Sequence, residues 1–216
     1  MSIDRRPYKR EAQDVRREAL ISAALDLIAQ GGPRAATVRA IAEKAGVTAG
    51  LIRHYFSSKE ELVRASYRWM MDRMTEDNAS VLGDGTEDPT KRLAFFVAAS
   101  LVPPVADPTR LGLWAGFLHG AQHDAEMRQI HIQSYLVYRD LLQSLIEALP
   151  GTVHGGSYRG AAIACNGVID GLWMEASAVP EMFEKGEIVN IGLCATGTIL
   201  GVDLLSVYLS FTGEHA

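Results

Sequence analysis

Apolar residues recur along this chain at intervals of three and four, the spacing of an amphipathic helix. No stretch alternates apolar with polar residues as a half-buried strand does. Helix-starting residues precede eight apolar segments, and the ninth, residues 188–211, is almost wholly apolar. Nine helices and no strand predict an all-α protein. The eight start signals are Asp14, Thr37, Thr48, Ser58, Asp88, Asp107, Asp124 and Ser157.

Residues 188–211 are long enough to be considered as a membrane span, because 24 consecutive residues carry a single charge, Asp203. That charge would cost about 2.5 to 3.5 kcal/mol near the centre of a bilayer. Asn190, Thr196 and Ser206 are polar as well. A helix packed against protein accommodates the same residues without this cost, so we expect no membrane anchor.

Composition places the chain among globular proteins, since 48% hydrophobic and 22% charged residues exclude a disordered or fibrous class. Cys165 and Cys194 lie in apolar surroundings without CxxC or metal-ligand spacing, so we expect small buried thiols in a reducing compartment. The amino-terminal residues are charged and lack the apolar segment of a secretory signal. These observations indicate a cytoplasmic protein.

Two short predicted helices joined by the tight turn Ala45-Gly46-Val47 have the arrangement of a helix-turn-helix. The second helix has little bulk near its start, which allows it to enter a major groove, and one turn later an arginine can bind guanine through two hydrogen bonds. The same pattern also fits an ordinary packing unit with solvated basic residues. The predicted DNA-binding residues are Arg39, Thr48, Ala49, Gly50, Arg53, His54, Tyr55 and Lys59, of which Thr48, His54, Tyr55 and Lys59 are expected to bind phosphate.

Charge is distributed unevenly along the chain. The formal net charge of -5, taken alone, argues against a nucleic-acid partner. Residues 1–64 nevertheless hold 12 basic and 8 acidic residues, a net charge of +4, which leaves -9 for residues 65–216. The basic part is therefore suited to binding phosphate. Six of its residues are expected to form a flexible arm or to flank the DNA backbone: Arg5, Arg6, Lys9, Arg10, Arg16 and Arg17.

Residues 36–62, ATVRAIAEKAGVTAGLIRHYFSSKEEL, are similar to the DNA-binding domain of the TetR family of bacterial repressors, and the similarity extends over roughly residues 16–64. In that family the helix from Thr48 is the recognition helix, and Tyr55 and Lys59 occupy positions where phosphate contacts are usual.

The resemblance implies the nine-helix architecture of that family. An amino-terminal arm and helix-turn-helix domain would cover residues 1–57, a connecting helix residues 58–82, and a ligand-binding and dimerisation domain residues 83–216. It also implies a homodimeric regulator, most simply a repressor that a small-molecule effector releases from double-stranded operator DNA. We expect no cofactor, no catalytic residues, no metal site and no membrane partner.

Small residues on the last two predicted helices indicate close helix packing. A glycine inside a helix costs about 1 kcal/mol relative to alanine, so a repeated series of them implies a gain in packing. We expect these helices to form a four-helix bundle between two copies, and packing within one chain is the alternative. The residues are Gly160, Ala164, Gly167, Gly171, Gly197 and Gly201.

Aromatic residues and two acids in the carboxy-terminal part are candidates for an effector site: Trp114, Phe117, Leu118, Tyr135, Tyr138, Asp170, Trp173 and Glu175. Aromatic faces attract quaternary ammonium, and a carboxylate adds Coulombic attraction. Residues 168–173, VIDGLW, are similar to the choline-responsive BetI-type branch of the TetR family, which implies an effector such as choline or betaine aldehyde. An apolar or aromatic drug-like effector is the alternative.

His119 and His123 are four residues apart, which makes half of a metal site or a polar helix surface. An enzyme using these histidines or Glu175 is a further alternative, although no nucleophile set and no phosphate-binding loop is visible. A helical interaction module without DNA binding is the third hypothesis.

Overall fold

The computed structural model describes residues 6–83, 85–151 and 157–213, and these residues form ten α-helices and no strand. The all-α prediction is confirmed. The helices are α1 (Arg6–Gly31), α2 (Val38–Lys44), α3 (Ala49–Tyr55), α4 (Lys59–Ala79), α5 (Pro89–Ser100), α6 (Pro108–Ala121), α7 (Ala125–Glu147), α8 (Tyr158–Ala178), α9 (Glu187–Leu200) and α10 (Leu204–Thr212), with 3-10 turns at Ser80–Leu82 and Pro180–Met182.

Side-chain caps start most of the helices at the predicted places. Thr37 Oγ1 accepts a hydrogen bond from the Ala40 amide at 3.1 Å, which satisfies one of the free N–H groups at the start of α2. The same kind of cap stands before α3, α5, α6, α7 and α8, where the accepting residues are Thr48, Asp88, Asp107, Asp124 and Ser157.

The start of α4 departs from a standard capping box by one residue. Ser58 Oγ accepts from the Glu61 amide at 3.1 Å, as predicted. Glu61 Oε2, however, accepts from both the amide and the hydroxyl of Ser57 at 2.6 Å each. These two hydrogen bonds, that from the hydroxyl first, lower the pKa of the Glu61 carboxyl.

The first helix begins at Arg6, so the predicted start at Asp14 is wrong. Asp14 is an exposed residue inside α1. A helix-favouring charged run extends from Pro7, which is tolerated in the first turn because its missing N–H would be unpaired there anyway. Arg6 to Arg17 therefore belong to a helix instead of a flexible arm, and Arg5 lies outside the described residues.

The last predicted helix is divided in two, which makes ten helices instead of nine. Gly201 adopts the left-handed conformation, with φ of 72°, and ends α9. Asp203 then caps α10 by accepting from the Ser206 amide at 3.0 Å. A Cβ placed on Gly197 would lie 2.5 Å from the Val202 carbonyl oxygen, so the chain at this corner lies directly against α9.

The chain folds into two compact units. The first combines the described residues up to Met70 with residues 112–131, and the first half of α4 contacts the second of these segments. Arg64 of α4 pairs with Asp124 at 2.8 Å and with Glu126 at 2.7 Å. The Tyr67 ring stacks on Phe117 at 4.6 Å between centroids. The buried core of this unit includes Leu20, Ile21, Ile28, Ile41, Ile52, Phe56, Leu62, Tyr67 and Phe117.

The second unit consists of residues 71–111 and the described residues from Ile132 onwards. Within it α8 packs on α9, and α10 packs on α5 and α9. Cys165 is buried, and burial raises the pKa of its thiol to about 11. Cys194 is exposed on α9, so the expectation of two buried thiols is wrong for this residue, which faces away from the core of its own chain. The core includes Leu93, Phe96, Val97, Leu142, Ile146, Ile169, Leu193 and Leu204.

Candidate DNA-binding surface and effector site

The helix-turn-helix consists of α2, a four-residue turn and α3. Gly46 adopts the left-handed conformation with φ of 66°, and the Val47 amide donates to the Ala42 carbonyl at 2.9 Å, which closes the turn. Ile41 and Ile52 bury one face of each helix. The opposite faces are therefore free to meet DNA.

The predicted base-reading residues lie on the exposed face of α3. Ala49, Gly50 and Arg53 are all exposed, as is Arg39 on α2. Thr48 Oγ1 accepts from the Leu51 amide at 3.3 Å, so the hydroxyl proton remains available to donate to a phosphate. The small residues Ala49 and Gly50 would let the backbone of α3 come close to DNA, and Arg53 would supply one long hydrogen-bond donor.

The predicted phosphate ligands surround the end of α3. Lys59 Nζ donates to the Pro33 carbonyl at 3.3 Å, which holds the ammonium against the loop between α1 and α2 and leaves two N–H groups for another acceptor. The rings of His54 and Tyr55 meet edge to face, 5.2 Å between centroids. The Glu61 amide already donates to Ser58 Oγ, so it is not available to a phosphate at the start of α4.

Arg17 has a partner that the sequence did not indicate. Its guanidinium lies 5.1 Å from the centroid of the Phe56 ring, a cation–π distance. Phe56 is the buried residue directly after α3. Arg17 therefore braces the end of the recognition helix from within the chain, and only the tertiary fold reveals this contact.

The predicted effector residues are divided between the two units. Trp114, Phe117 and Leu118 belong to the first, where Phe117 is buried and the other two are half-buried. Tyr135, Tyr138, Asp170, Trp173 and Glu175 belong to the second.

In the second unit the structure brings Tyr135 of α7 and Asp170 of α8 together. The Tyr135 hydroxyl donates to Asp170 Oδ2 at 2.6 Å. Asn166, one turn before Asp170, donates from Nδ2 to the same oxygen at 2.8 Å and to the Tyr135 oxygen at 2.5 Å. Burial, followed by the hydrogen bond to Asp170 and its charge, raises the pKa of Tyr135 to about 12. Sequence reasoning missed Asn166, although its spacing of four from Asp170 was a usable signal.

The other candidates of this unit have separate surroundings. The Tyr138 hydroxyl lies 2.9 Å from Ser100 Oγ, and its ring stacks on Phe96. Trp173 Nε1 donates to the Val105 carbonyl at 2.9 Å, while Glu175 is exposed on α8. Tyr135, Asn166 and Asp170, which we call the carboxylate cluster, are therefore the polar centre of the predicted set.

His119 and His123 lie side by side, 5.4 Å between ring centroids, and both are exposed. Within the part of the chain that the structure describes, no group of three or more His, Cys, Asp or Glu residues could hold a metal ion.

The predicted small residues of the dimer surface divide into two groups. Gly167 and Gly171 are exposed on α8, and a Cβ at either position would meet nothing within 4 Å in this chain. Gly160 and Ala164 are exposed on the same helix. Gly197, in contrast, is buried against the α9–α10 corner, and Gly201 is the helix-ending residue.

Two family models match the chain. The model for bacterial regulatory proteins of the tetR family matches residues 20–66, and that for the carboxy-terminal part of the BetI-type transcriptional repressor matches residues 89–201. The second match alone covers more than half of the chain. The chain belongs to the TetR family. This TetR-family protein is a DNA-binding transcriptional regulator with a BetI-type carboxy-terminal part, and the prediction of a regulator is confirmed over that of an enzyme.

Individual relatives support the same family assignment. The HTH-type transcriptional regulator BetI of Stenotrophomonas maltophilia (strain R551-3) is 30% identical over 187 residues, which cover 85% of this chain and 93% of the relative. The solved structure of a putative transcriptional regulator from Pseudomonas aeruginosa PAO1 superposes with a TM-score of 0.76 at 27% identity, covering 86% of this chain and 90% of the other. A putative transcriptional regulator from Saccharomonospora viridis, solved in complex with choline, shares the fold with a TM-score of 0.66 at 18% identity, covering 84% of this chain and 93% of that one.

Members of the TetR family bind operator DNA and small-molecule effectors, and the two recognised parts of the chain correspond to these two tasks. Across the described ranges, no helix is both long and apolar enough to cross a membrane. This finding agrees with a division of the apolar segment into α9 and α10.

Proposed function

We propose that this TetR-family regulator is a homodimeric repressor that leaves its operator when a small cationic effector binds at the carboxylate cluster. The Asp170 carboxylate, which accepts a hydrogen bond from the Tyr135 hydroxyl at 2.6 Å, is the observation that carries the proposal. A half-buried carboxylate attracts a cation more strongly than one in bulk water, and an aromatic face adds attraction for quaternary ammonium.

The effector class that we propose is a choline-like ammonium compound. The BetI-type match spans residues 89–201 and therefore includes the whole cluster. Choline is the ligand of the Saccharomonospora viridis protein, which shares the fold with this chain at low identity. The argument for this chain rests on its own carboxylate and aromatic residues.

For the dimer, we propose the exposed stripe of α8 and α9 as the interface. Gly167 and Gly171 allow close approach of another helix and have no neighbour in their own chain. Ile163 on α8 is 44% exposed and Ile191 on α9 is 43% exposed, so apolar side chains flank the glycines. Operator half-sites recur about 34 to 36 Å apart, one turn of DNA, so a dimer can bind two of them.

Helix α4 is the element that we propose transmits the effector signal. In the first unit its Tyr67 hydroxyl lies 2.6 Å from His131 Nδ1 of α7, and Arg64 pairs with Asp124 just before α7. Tyr135 follows His131 by one turn of the same helix. A shift of α7 on effector binding would therefore act on α4 through these contacts and change the setting of the recognition helices.

The DNA-binding assignment is tested on operator duplexes that the wild-type protein selects from a random library. We expect Arg53→Ala to lower operator affinity about 5- to 150-fold, the equivalent of about 1 to 3 kcal/mol for one bidentate base contact. Lys59→Ala should reduce the slope of log affinity against log salt by about 0.9, the loss of one phosphate contact. Arg128→Ala, which removes an exposed arginine of α7, is the matched control. Unchanged binding by both test variants in gel-shift assays would refute the assignment.

The effector class is tested by thermal shift with choline and betaine aldehyde against a panel of apolar aromatic compounds. A ligand of the native state raises the melting temperature, and we expect this rise for the cations only. Asp170→Asn should abolish it, whereas Asp140→Asn, an exposed aspartate of α7, should not. A rise only with the apolar compounds would favour the drug-like alternative.

A further inference from the structure

Four buried side-chain atoms among the described residues have no hydrogen-bond partner: Asn78 Oδ1, Arg110 Nη1, Asn166 Oδ1 and Ser177 Oγ. Of these, only Asn166 belongs to the carboxylate cluster. Its side chain is 3% exposed, so the amide oxygen is shielded from bulk water. A buried acceptor without a donor costs free energy, and a molecule that supplies the donor recovers it.

The orientation of the Asn166 amide is determined by its neighbours. Its Nδ2 donates to Asp170 Oδ2 at 2.8 Å, and a flipped amide would bring its oxygen against that carboxylate instead. The Tyr135 hydroxyl uses its one O–H to donate a hydrogen bond to Asp170 at 2.6 Å, so towards Asn166 it can only accept. Both neighbours therefore require the amide nitrogen, and Oδ1 is left to accept from another molecule.

Tyr135 and Asp170 are half-buried, so their own chain does not enclose the cluster completely. Asn166 lies one helical turn from Asp170 on α8. When the positive charge of a ligand lies at Asp170, the neighbouring groups of that ligand therefore lie near Asn166. An ammonium compound with a hydroxyl or N–H on a short carbon spacer can satisfy both the carboxylate and the amide oxygen. A quaternary ammonium without a donor satisfies the carboxylate alone.

We propose that the effector is a hydroxylated or N–H-bearing ammonium compound whose donor group binds Asn166 Oδ1. This inference rests on the proposed cationic effector and adds a second requirement to it. Sites built to hydrogen-bond a hydroxyl discriminate strongly against analogues that lack it, because the buried polar group of the protein is then left unpaired. Asn166 is thus a specificity-determining residue, and Asp170 supplies the attraction to the charge.

The test compares choline with its methyl ether, which has the same charge and ammonium group but no hydroxyl proton. Dissociation constants are measured by isothermal titration calorimetry on the full chain. We expect wild type to bind choline about tenfold more tightly than the ether, which is the loss for one unpaired buried acceptor. In Asn166→Leu the ratio should fall to about one.

Asn78→Leu is the matched control, because Asn78 on α4 is also buried, at 2% exposed, and its Oδ1 also lacks a partner. It should keep the tenfold preference. Equal binding of choline and the ether by wild type would overturn the donor requirement while leaving a cationic effector in place. Failure of both compounds to bind would overturn the effector class and this inference with it, and a preference that persists in Asn166→Leu would overturn the assignment to Asn166.

Discussion

The Tyr135 hydroxyl donates a hydrogen bond to the Asp170 carboxylate and accepts one from the Asn166 amide. The neutral phenol is favoured there, because ionisation would place a second negative charge beside Asp170 in a partly desolvated environment. The stabilising contribution of this proton is complete below the ordinary tyrosine pKa of about 10. It is lost as the pH rises towards about 12, the pKa of Tyr135 in the folded state.

This pKa can be measured by titrating phenolate absorbance in wild type and in Tyr135→Phe. The difference between the two curves should correspond to the absorbance change of one phenol that ionises near pH 12. Tyr158→Phe, which removes an exposed tyrosine, provides the reference difference. Circular dichroism along the titration shows the pH range over which the helices persist. If the phenol lost in Tyr135→Phe ionises near pH 10 while the protein is folded, the Tyr135 hydroxyl is not held in the partly buried, hydrogen-bonded setting that the structure shows.

Residues separate clearly into those that the sequence identifies and those that need the fold. Tyr135 and Asp170 could be selected because an acid near aromatic residues is a recognisable combination. The contact of Arg17 with Phe56 and the hydrogen bond from Lys59 to Pro33 could not, since each depends on which distant segments meet. Asn166 was missed although its spacing of four from Asp170 places both on one face of a helix.

At the scale of elements, local signals predicted helix starts well, because a cap acts on amides only two or three residues away. The two failures were of another kind. Helix α1 begins within a charged run, and Asp14 inside it gives a false start signal. The break before α10 contains two local signals, Gly201 and Asp203. The residues around them are almost all apolar, so the segment was predicted as one helix.

The corner between α9 and α10 yields a stability prediction. Gly197→Ala places a Cβ 2.5 Å from the Val202 carbonyl oxygen, which is backbone and cannot rotate away. We expect overpacking of about 1 to 3 kcal/mol to outweigh the roughly 1 kcal/mol that alanine adds inside a helix. The free energy of unfolding, measured with urea, should therefore fall.

Gly112→Ala is the matched control for that corner. Gly112 is exposed inside α6, and its added Cβ would meet nothing within 4 Å. This substitution should raise the free energy of unfolding by up to about 1 kcal/mol. Equal stability of the two variants would show that the chain at residues 201–203 does not lie against Gly197.

For the whole molecule, the proposed dimer explains how a protein of net charge -5 approaches DNA. The basic excess of +4 in residues 1–64 is small for one subunit. A dimer carries two such basic segments, which doubles the number of phosphate contacts. We therefore expect operator binding to depend on the geometry of the pair as well as on bulk charge.

The dimer surface is tested by the double variant Ile163→Asp and Ile191→Asp. The double variant places two carboxylates per subunit at apolar positions of the proposed interface, where they would be buried without a partner. We expect it to sediment as a monomer in analytical ultracentrifugation and to lose operator binding. Val81→Asp, at a residue that is 37% exposed outside this stripe, should leave the dimer intact. A double variant that sediments as a dimer would place the interface elsewhere.

The first unit is discontinuous, since residues 112–131 fold with the DNA-reading helices. This has a practical consequence for the construction of chimeric regulators. A graft that exchanges only the amino-terminal helices would separate Arg64 from Asp124 and Tyr67 from His131, and would leave unmatched partners on both sides of the junction. A graft that transfers residues 112–131 together with the amino-terminal helices would keep these pairs from one parent.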